Sequence, residues 1–348
     1  MLAALERREP VREPVREPVR EPDRVPYLEI GIDRALAQRL LRWIGPRTQR
    51  ANLEGNPYTP QEAAELARHL GLDALPYVLR APVYARKVEG LDGRLFYAEG
   101  RIHRRSDLAL MDLSDPEDDS LYAEARSFAA AKGDYAACFV TRAGIFPTML
   151  SMGMEAFCAA IYDDRDLVVE LLDRYFDWCV AVARRVAGLG FDVFITTDDL
   201  AFKTAPYFFP QLFRELVMPR YRRLAEVVTL PWIVHSDGNI LPLLEDFLSL
   251  GIAGIHPLEK GAVDIRAVKR DWGRKVCLLG NVDLNLLGAG TPAEVEEEVR
   301  LLIRDLAPGG GYILTSGNSL AGYCVPENVE ALAAAARKYG PYARPPQG

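Results

Sequence analysis

The segment "PWIVHSDGNI", residues 231–240, contains two chemically active side chains that are two residues apart. An apolar stretch ends at Val234, His235 follows, and Asp237 comes two residues later. Side chains two apart on a strand share a face, so both groups are expected to point to one place. Imidazole and carboxylate are zinc ligands, and they are equally suited to acid/base work. The pair predicts either a metal site or a metal-free substrate site.

Neighbouring predicted strands end in polar residues as well. These are Asp198 and Asp199 in "FITTDDL", His256 and Glu259 in "GIHPLEK", Asn281 and Asp283 in "LLGNVD", and Ser316 and Asn318 in "ILTSGNS". Each group alone is explained by helix caps or turns. Five consecutive polar strand ends instead favour a common mouth that binds a small polar or metal-held molecule.

The elements that carry these residues alternate regularly from residue 134 onward. Six short apolar strands alternate with amphipathic helices, which predicts parallel βαβ units. The predicted helices span 147–162, 165–188, 210–228, 240–250, 264–272, 292–306 and 326–339. Two earlier strands, near 27–32 and 74–79, bring the number to eight. The sequence therefore predicts an α/β fold of the (βα)8 TIM barrel type, with its active site at the C-terminal strand ends. An open doubly wound sheet is disfavoured because no GxGxxG follows the first strand.

Two segments stand outside this alternation. Residues 1–24 contain a repeated "REPV" unit with a proline in every copy, which predicts a disordered, solvated tail. Residues 90–113 alternate polar and apolar around Gly100, which predicts an inserted β-hairpin. The remaining 25–348 form a single predicted barrel domain.

Net charge, the length of apolar runs and the spacing of cysteines exclude several classes of function. The 348 residues carry a net charge of −7, so nucleic acid is not an expected partner. No apolar run is long enough to cross a membrane and no signal-peptide core is present, so we expect a cytoplasmic protein. The five cysteines are widely spaced and form no CxxC pair, which argues against a disulfide framework. Oligomeric state stays open.

Several long motifs resemble the uroporphyrinogen decarboxylase superfamily. They are "AGIFPTMLSMGMEAF", "FITTDDLAFKTAPYFFPQLFRELVMPRYRRL", "PWIVHSDGNILPLLEDFLSLGIAGIHPLE", "GNVD" and "GGGYILTSGNSLAGYCVPENV". The resemblance covers nearly all of residues 24–340 and implies a (βα)8 barrel. That superfamily contains cofactor-free porphyrinogen decarboxylases and zinc-dependent methyltransferases that serve corrinoid proteins, and fold alone does not separate them.

Departures from the family pattern narrow the choice. The arginine-rich "RQAGRY"-like stretch of true decarboxylases is missing, Arg80 falls where their aspartate stands, and Asn318 falls where their histidine stands. Thiol-methylating relatives hold zinc with a His-x-Cys pair and a distant cysteine. Here His235 matches, Asp237 replaces the first cysteine, and Asn318 replaces the second, with Cys324 six residues further on. Oxygen and nitrogen ligands suit a zinc that polarises an ether oxygen.

The leading hypothesis is a small-molecule methyltransferase resembling corrinoid-linked O-demethylases, with zinc bound in the chain and a corrinoid supplied in trans by a separate protein or as free cobalamin. The expected metal ligands are His235, Asp237 and either Cys324 or Glu259, and the expected catalytic residues are Asp198, Asp199, His235 and Asp237. The expected substrate-binding residues are Arg80, Arg142, His256, Glu259, Asn281, Asp283 and Asn318.

Two alternative functions stay open. One is a metal-free decarboxylase or lyase in which Arg80 and Arg142 clamp a carboxylate; the other is a binding or corrinoid-docking module without catalysis.

Overall fold

A computed structural model describes residues 1–5, 24–43, 55–90 and 95–341. Seven strands form one parallel sheet in which sequence neighbours are also neighbours in space, and two further strands form a separate antiparallel pair. In chain order the strands are β1 Ala74–Val78, β2 Ala85–Glu89, β3 Leu95–Gly100, β4 Ala136–Thr141, β5 Val193–Thr197, β6 Trp232–Ser236, β7 Gly254–Pro257, β8 Cys277–Val282 and β9 Tyr312–Ser316.

Helices follow most strands of the parallel sheet. In chain order, the described helices are α1 Leu2–Leu5, α2 Arg34–Leu41, α3 Pro60–Leu70, α4 Ala123–Ala130, α5 Ile145–Met152, α6 Met154–Asp163, α7 Arg165–Val186, α8 Pro210–Leu216, α9 Met218–Ala225, α10 Leu241–Ser249, α11 Ile265–Trp272, α12 Leu284–Ala289, α13 Pro292–Leu306 and α14 Pro326–Tyr339. Helices α1 to α3 precede the first strand. Short 3-10 helices span Arg105–Leu110 and Asp119–Tyr122.

The chain segment before α2 lies between the two edges of the parallel sheet. The Leu28 amide donates to the carbonyl of Leu314 in β9 at 3.0 Å, and the Asp73 amide, next to β1, donates to the Tyr27 carbonyl at 2.9 Å. This segment forms isolated bridges, so the first strand predicted at 27–32 is not a regular strand. The predicted α/β fold is thus confirmed as a curled, TIM-barrel-like parallel sheet of seven strands.

The core has two apolar clusters. The larger one packs the helices against the outer face of the sheet. The smaller one fills the inside of the curled sheet, with Leu28, Val140 and Ile233 among its members. Ala4 and Leu5 of α1 are buried in this inner cluster. The start of the chain therefore differs from the solvated tail predicted over 1–24, while residues 6–23 of that tail lie outside the described residues.

Local signals account for most helix ends. Helix α3 begins with the capping box of Thr59 and Glu62, and α14 has the bounds predicted from the sequence. The helix predicted at 147–162 is broken at Gly153, where α5 and α6 meet at a bend of 100°. The helix predicted at 210–228 likewise divides into α8 and α9. Among the described helices none is by itself long and apolar enough to cross a membrane, and only the bent α5–α6 pair reaches that length and composition together.

The antiparallel pair is the inserted hairpin. Strands β2 and β3 span Ala85–Gly100 and not the predicted 90–113, because the chain after Gly100 turns into the 3-10 helix Arg105–Leu110. The hairpin packs directly on the break between α5 and α6. A Cβ at Gly100 would lie 2.2 Å from the carbonyl carbon of Met152, so only glycine allows this approach. Residues 91–94, inside the predicted hairpin range, lie outside the described residues.

Candidate active site

Alternation along the strands places the polar residues in the mouth of the sheet. Ile195 of β5 and Ile233 of β6 belong to the inner apolar cluster. Because every second residue of a strand faces the same side, the next positions on those faces lie towards the C-terminal ends. Those positions are occupied by Thr197 and Asp199 after Ile195, and by His235 and Asp237 after Ile233. The inner faces thus change from apolar to polar at the end where TIM-barrel active sites lie.

Asp199, His235 and Asp237 form one group. The Nε2 atom of His235 lies 3.6 Å from Oδ1 of Asp199 and 3.8 Å from Oδ1 of Asp237. One ligand atom from each residue lies within 4.8 Å of the other two, and this is the only such metal-competent group found among the described residues. The loop that carries Asp237 approaches the loop after Asp199 so closely that a Cβ at Gly238, whose φ is +79°, would meet a backbone oxygen at 2.3 Å.

This group fits a zinc-like divalent cation. Ligand atoms about 2.0–2.1 Å from a tetrahedral metal lie about 3.4 Å from one another, close to the two distances from His235 Nε2. Oδ1 of Asp237 is buried and has no hydrogen-bond partner among the described residues. Such an orphaned acceptor is costly unless a cation or donor satisfies it. Three protein ligands of nitrogen and oxygen type leave further coordination positions for a substrate.

A second histidine orients the first one. Nδ1 of His235 and Nδ1 of His256 are 2.7 Å apart, and the two rings are stacked with centroids at 4.9 Å. Burial and the nearby charge of His235 lower the pKa of His256 well below its usual value, so His256 stays neutral. A His235 ring that binds a metal through Nε2 carries its proton on Nδ1, and this Nδ1–H then donates to Nδ1 of His256. That leaves Nε2 of His235 directed at the two carboxylates, as a metal ligand requires.

The charges of Asp199 and Asp237 favour a positive charge on His235, which lies between them. Burial lowers the pKa of His235, but the hydrogen bond to Asp199 and the charges of Asp237 and Asp199 raise it further than burial lowers it. Burial also raises the pKa of Asp237 to about 6, with the charges of Asp199 and Glu259 acting in the same direction. For Asp199 burial acts upward, yet its hydrogen bond and charge interaction with His235 bring the pKa below the usual value. The two carboxylates therefore stabilise a positive charge at Nε2 of His235, either a proton on the imidazole or a metal ion that replaces that proton.

The group opens into a cavity of about 200 Å³. Its lining residues are Ile30, Arg80, Arg142, Phe146, Thr197, Asp199, His235, Asn318 and Ser319. The structure thus brings together two arginines, the metal-competent group and Asn318 from five different strand ends. Asn318 donates from Nδ2 to Oδ2 of Asp237 at 2.5 Å, so it fixes the carboxylate that faces His235.

Asp198 and Asp199 are adjacent in sequence, but their side chains lie on opposite sides of the sheet. Asp198 is fully buried and accepts hydrogen bonds from the amides of Gly144 and Phe146 and from the hydroxyl of Tyr221. Burial raises its pKa, and these donors oppose that rise. Asp198 therefore holds the start of α5 in place and does not line the cavity, whereas Asp199 lines it.

The remaining predicted residues are placed around the mouth and not in the cavity. Glu259 accepts from the amide of Gly238 at 2.9 Å. Asn281 donates to a backbone carbonyl of the β7–α11 loop at 2.5 Å, and Asp283 caps α12. Cys324 is buried away from the metal-competent group, and burial raises the pKa of its thiol to about 11. The polar residues among them stabilise loops and helix starts, as such residues commonly do in turns and caps.

Three further residues were not singled out from the sequence. Tyr97 of the hairpin and Phe146 of α5 both contact the guanidinium of Arg142 with their rings. Glu29 is fully buried and bonds Ser316 at the end of β9. A carboxylate inside the apolar run "YLEIGI" is a signal for Glu29, since buried acids are rare without a partner. Aromatic residues such as Tyr97 and Phe146 give no comparable signal, because most of them are core residues.

Comparison with known proteins identifies the family to which these features belong. The family model for uroporphyrinogen decarboxylase (URO-D) matches residues 98–339, which is more than half of the chain. A methyltransferase structure from Methanosarcina mazei superposes with a TM-score of 0.69 and 21% identity over 97% of each chain, which shows a shared fold.

Two relatives match shorter segments. A methylated-thiol–coenzyme M methyltransferase of Methanosarcina mazei is 25% identical over 152 residues, which is 42% of this chain and 39% of that protein. A uroporphyrinogen decarboxylase of Pseudoalteromonas translucida is 35% identical over 66 residues, or 19% of this chain and 18% of that protein. The match to each relative thus spans well under half of the relative's own length.

Proposed function

We propose that this chain, which belongs to the uroporphyrinogen decarboxylase family, is a methyltransferase that binds a divalent metal through Asp199, His235 and Asp237. The likeness to methyltransferases of that family supports the reaction class. The observation that carries the metal is the cluster itself, in which three ligand atoms lie within 4.8 Å and one buried carboxylate oxygen lacks a partner among the described residues.

The chain's own residues divide the work of the site. His256 keeps Nε2 of His235 directed at the carboxylates, and Asn318 fixes the orientation of Asp237. When bound, zinc at this site supplies a Lewis acid that makes the oxygen of a methyl donor a better leaving group. Thr197 and the two arginines line the remaining cavity wall, where they orient the rest of the donor.

The ligand types favour an oxygen-linked methyl group. Softer sites for thiols carry thiolate ligands, whereas this group offers one imidazole and two carboxylates. A methyl ether is accordingly the donor class we assign. The methyl group passes to a cob(I)alamin acceptor supplied from outside the chain, as free cobalamin or on a separate protein. The acceptor's electron pair forms the new bond to carbon, the C–O pair stays on oxygen, and that oxygen takes up a proton.

The test is a transfer assay with purified protein, zinc and cob(I)alamin against a panel of methyl ethers, followed by the absorbance of methylcobalamin. Turnover with at least one methyl ether is expected. The variant Asp237→Asn should lose it, while Asp283→Asn, which alters a capping residue outside the cavity, should keep it. Equal rates in both variants, or no transfer from any ether, would refute the proposal.

A metal-free lyase is the second candidate, and one observation favours it. Arg80 and Arg142 line the same cavity as Asp199 and His235, an arrangement that suits a carboxylated substrate. For this candidate, release of carbon dioxide from a small carboxylic acid should continue at full rate in the presence of a metal chelator. Inhibition of that release by the chelator would exclude it.

A further inference from the structure

Arg142 is held in an unusual way at the end of β4. Its guanidinium carbon lies 5.5 Å from the ring centroid of Tyr97 and 5.4 Å from that of Phe146, so the cation contacts two aromatic rings. The residue is 8% exposed and lines the cavity beside the metal-competent group. The two rings and the hydrogen bond from Nη1 to the Tyr97 hydroxyl hold the guanidinium in place beside the cavity.

The charge of Arg142 acts on the carboxyls of Asp198 and Asp199, where it works to lower the pKa of each, but neither carboxyl contacts it directly. Among the residues the structure describes, Arg142 makes one hydrogen bond, from Nη1 to the hydroxyl of Tyr97 at 3.4 Å, and no carboxylate forms an ion pair with it. None of its nitrogens is both buried and without a partner, so its remaining N–H donors open onto the cavity, where a ligand can accept from them. The acidic residue of the same cavity, Asp199, is already engaged with His235. An anion from outside the chain would satisfy the arginine.

Size and shape limit that anion. A planar fork of N–H donors matches a planar carboxylate with two parallel hydrogen bonds. The cavity of about 200 Å³ lies below the range typical for drug-sized ligands. Its walls therefore hold a group of roughly ten non-hydrogen atoms.

We infer that the substrate is a small carboxylic acid whose carboxylate binds Arg142 while its methyl-bearing oxygen faces Asp199, His235 and Asp237. This inference rests on the proposed function and adds the substrate class. Tyr97 acts as a positioning residue, since it touches Arg142 and not the reacting atoms. The inserted hairpin thus contributes to substrate selection by holding the arginine that reads the carboxylate.

The test is calorimetric titration of chelator-treated, metal-free protein with methoxyacetate, 3-methoxypropionate and the neutral 3-methoxypropionamide. Wild type should bind at least one of the two acids and should bind the amide at least about tenfold more weakly, because the amide lacks the charge. Arg142→Gln should weaken binding of the acid about tenfold or more, and Arg142→Lys should recover part of it. Arg274→Gln makes the same charge change at an exposed arginine and should have no effect.

Tyr97 provides a second readout. Tyr97→Ala should weaken binding of the acid severalfold, and Tyr97→Phe, which keeps the ring, should restore it. Failure of wild type to bind either acid at millimolar concentration would overturn the inference, as would equal binding of acid and amide or equal losses in Arg142→Gln and Arg274→Gln. Because the titration uses metal-free protein, arginine-dependent binding stands even if the chain proves to bind no metal, so the two proposals fail separately.

Discussion

Replacing Glu29 with glutamine is expected to stabilise the protein at neutral pH. Burial raises the pKa of Glu29 to about 8, against donors from Ser316 that lower it. The folded carboxyl is therefore protonated at pH 7. Its Oε1 accepts from the Ser316 amide at 3.0 Å, and its Oε2 lies 2.5 Å from the Ser316 hydroxyl, which in turn bonds the Asn318 carbonyl at 2.8 Å. A glutamine amide can make the same contacts.

The magnitude follows from proton linkage. The unfolded carboxyl ionises at its usual pKa of 4.5 and the folded one at about 8, so the folded state binds more protons between these values. Wild-type stability accordingly falls as pH rises through this window, by about 1.4 kcal/mol per pH unit. At pH 7 the cost to the wild type is about 3 kcal/mol, which the neutral glutamine avoids.

The assay is urea denaturation of metal-free wild type and Glu29→Gln from pH 4.5 to 8, compared as a difference so that other titrating groups cancel. The gain should be near zero at pH 4.5 and reach about 3 kcal/mol at pH 7. The matched control is Glu62→Gln, because the hydrogen bond from Arg34 lowers the pKa of Glu62 and its removal should instead destabilise at neutral pH. A gain that does not change with pH, or a loss at pH 7, would refute the reasoning.

Two further predictions concern single side chains. His256→Phe removes the acceptor of the His235 Nδ1–H and should lower zinc affinity about 10- to 100-fold in competition with a chromophoric chelator, whereas His103→Phe, at an exposed position, should not. Leu5→Ala should cost about 2–4 kcal/mol of unfolding free energy in denaturant titrations, because Leu5 is buried inside the sheet. The partly exposed Leu2 is its control, and equal effects of the two alanine variants would argue against packing of α1 in that cluster.

Strong periodicity made much of the fold predictable. The parallel strands are short apolar runs, and α14 begins and ends where its proline and apolar spacing indicate. Other elements carried weaker signals. Four residues of α1 are too few to show a period, and the segment at Tyr27 closes against β9 through isolated bridges that no pattern distinguishes from a strand. The break at Gly153, where φ is +83°, coincides with the close approach of Gly100 in the hairpin, and that contact between distant segments is not visible in the local sequence.

The candidate site was predictable only in part. Alternation correctly places His235 and Asp237 on one side, because a strand has a period of two. The same rule separates Asp198 from Asp199, yet the sequence does not reveal which of two adjacent acids faces inward. Asp283 is an aspartate at a strand end, like the residues of the site, but it caps α12. The sequence alone does not distinguish a capping aspartate from one that lines the cavity. The role of Tyr97 depends on a contact between distant segments and leaves no trace in local sequence.

The most direct test of the account is the metal content of purified, untagged protein after incubation with zinc and desalting, measured by inductively coupled plasma mass spectrometry. The account predicts about one zinc per chain in wild type and in Asp283→Asn, and a loss of that zinc in the double variant His235→Ala with Asp237→Ala. Wild type without zinc, or a double variant that retains it, would contradict the assignment of Asp199, His235 and Asp237 as a metal centre.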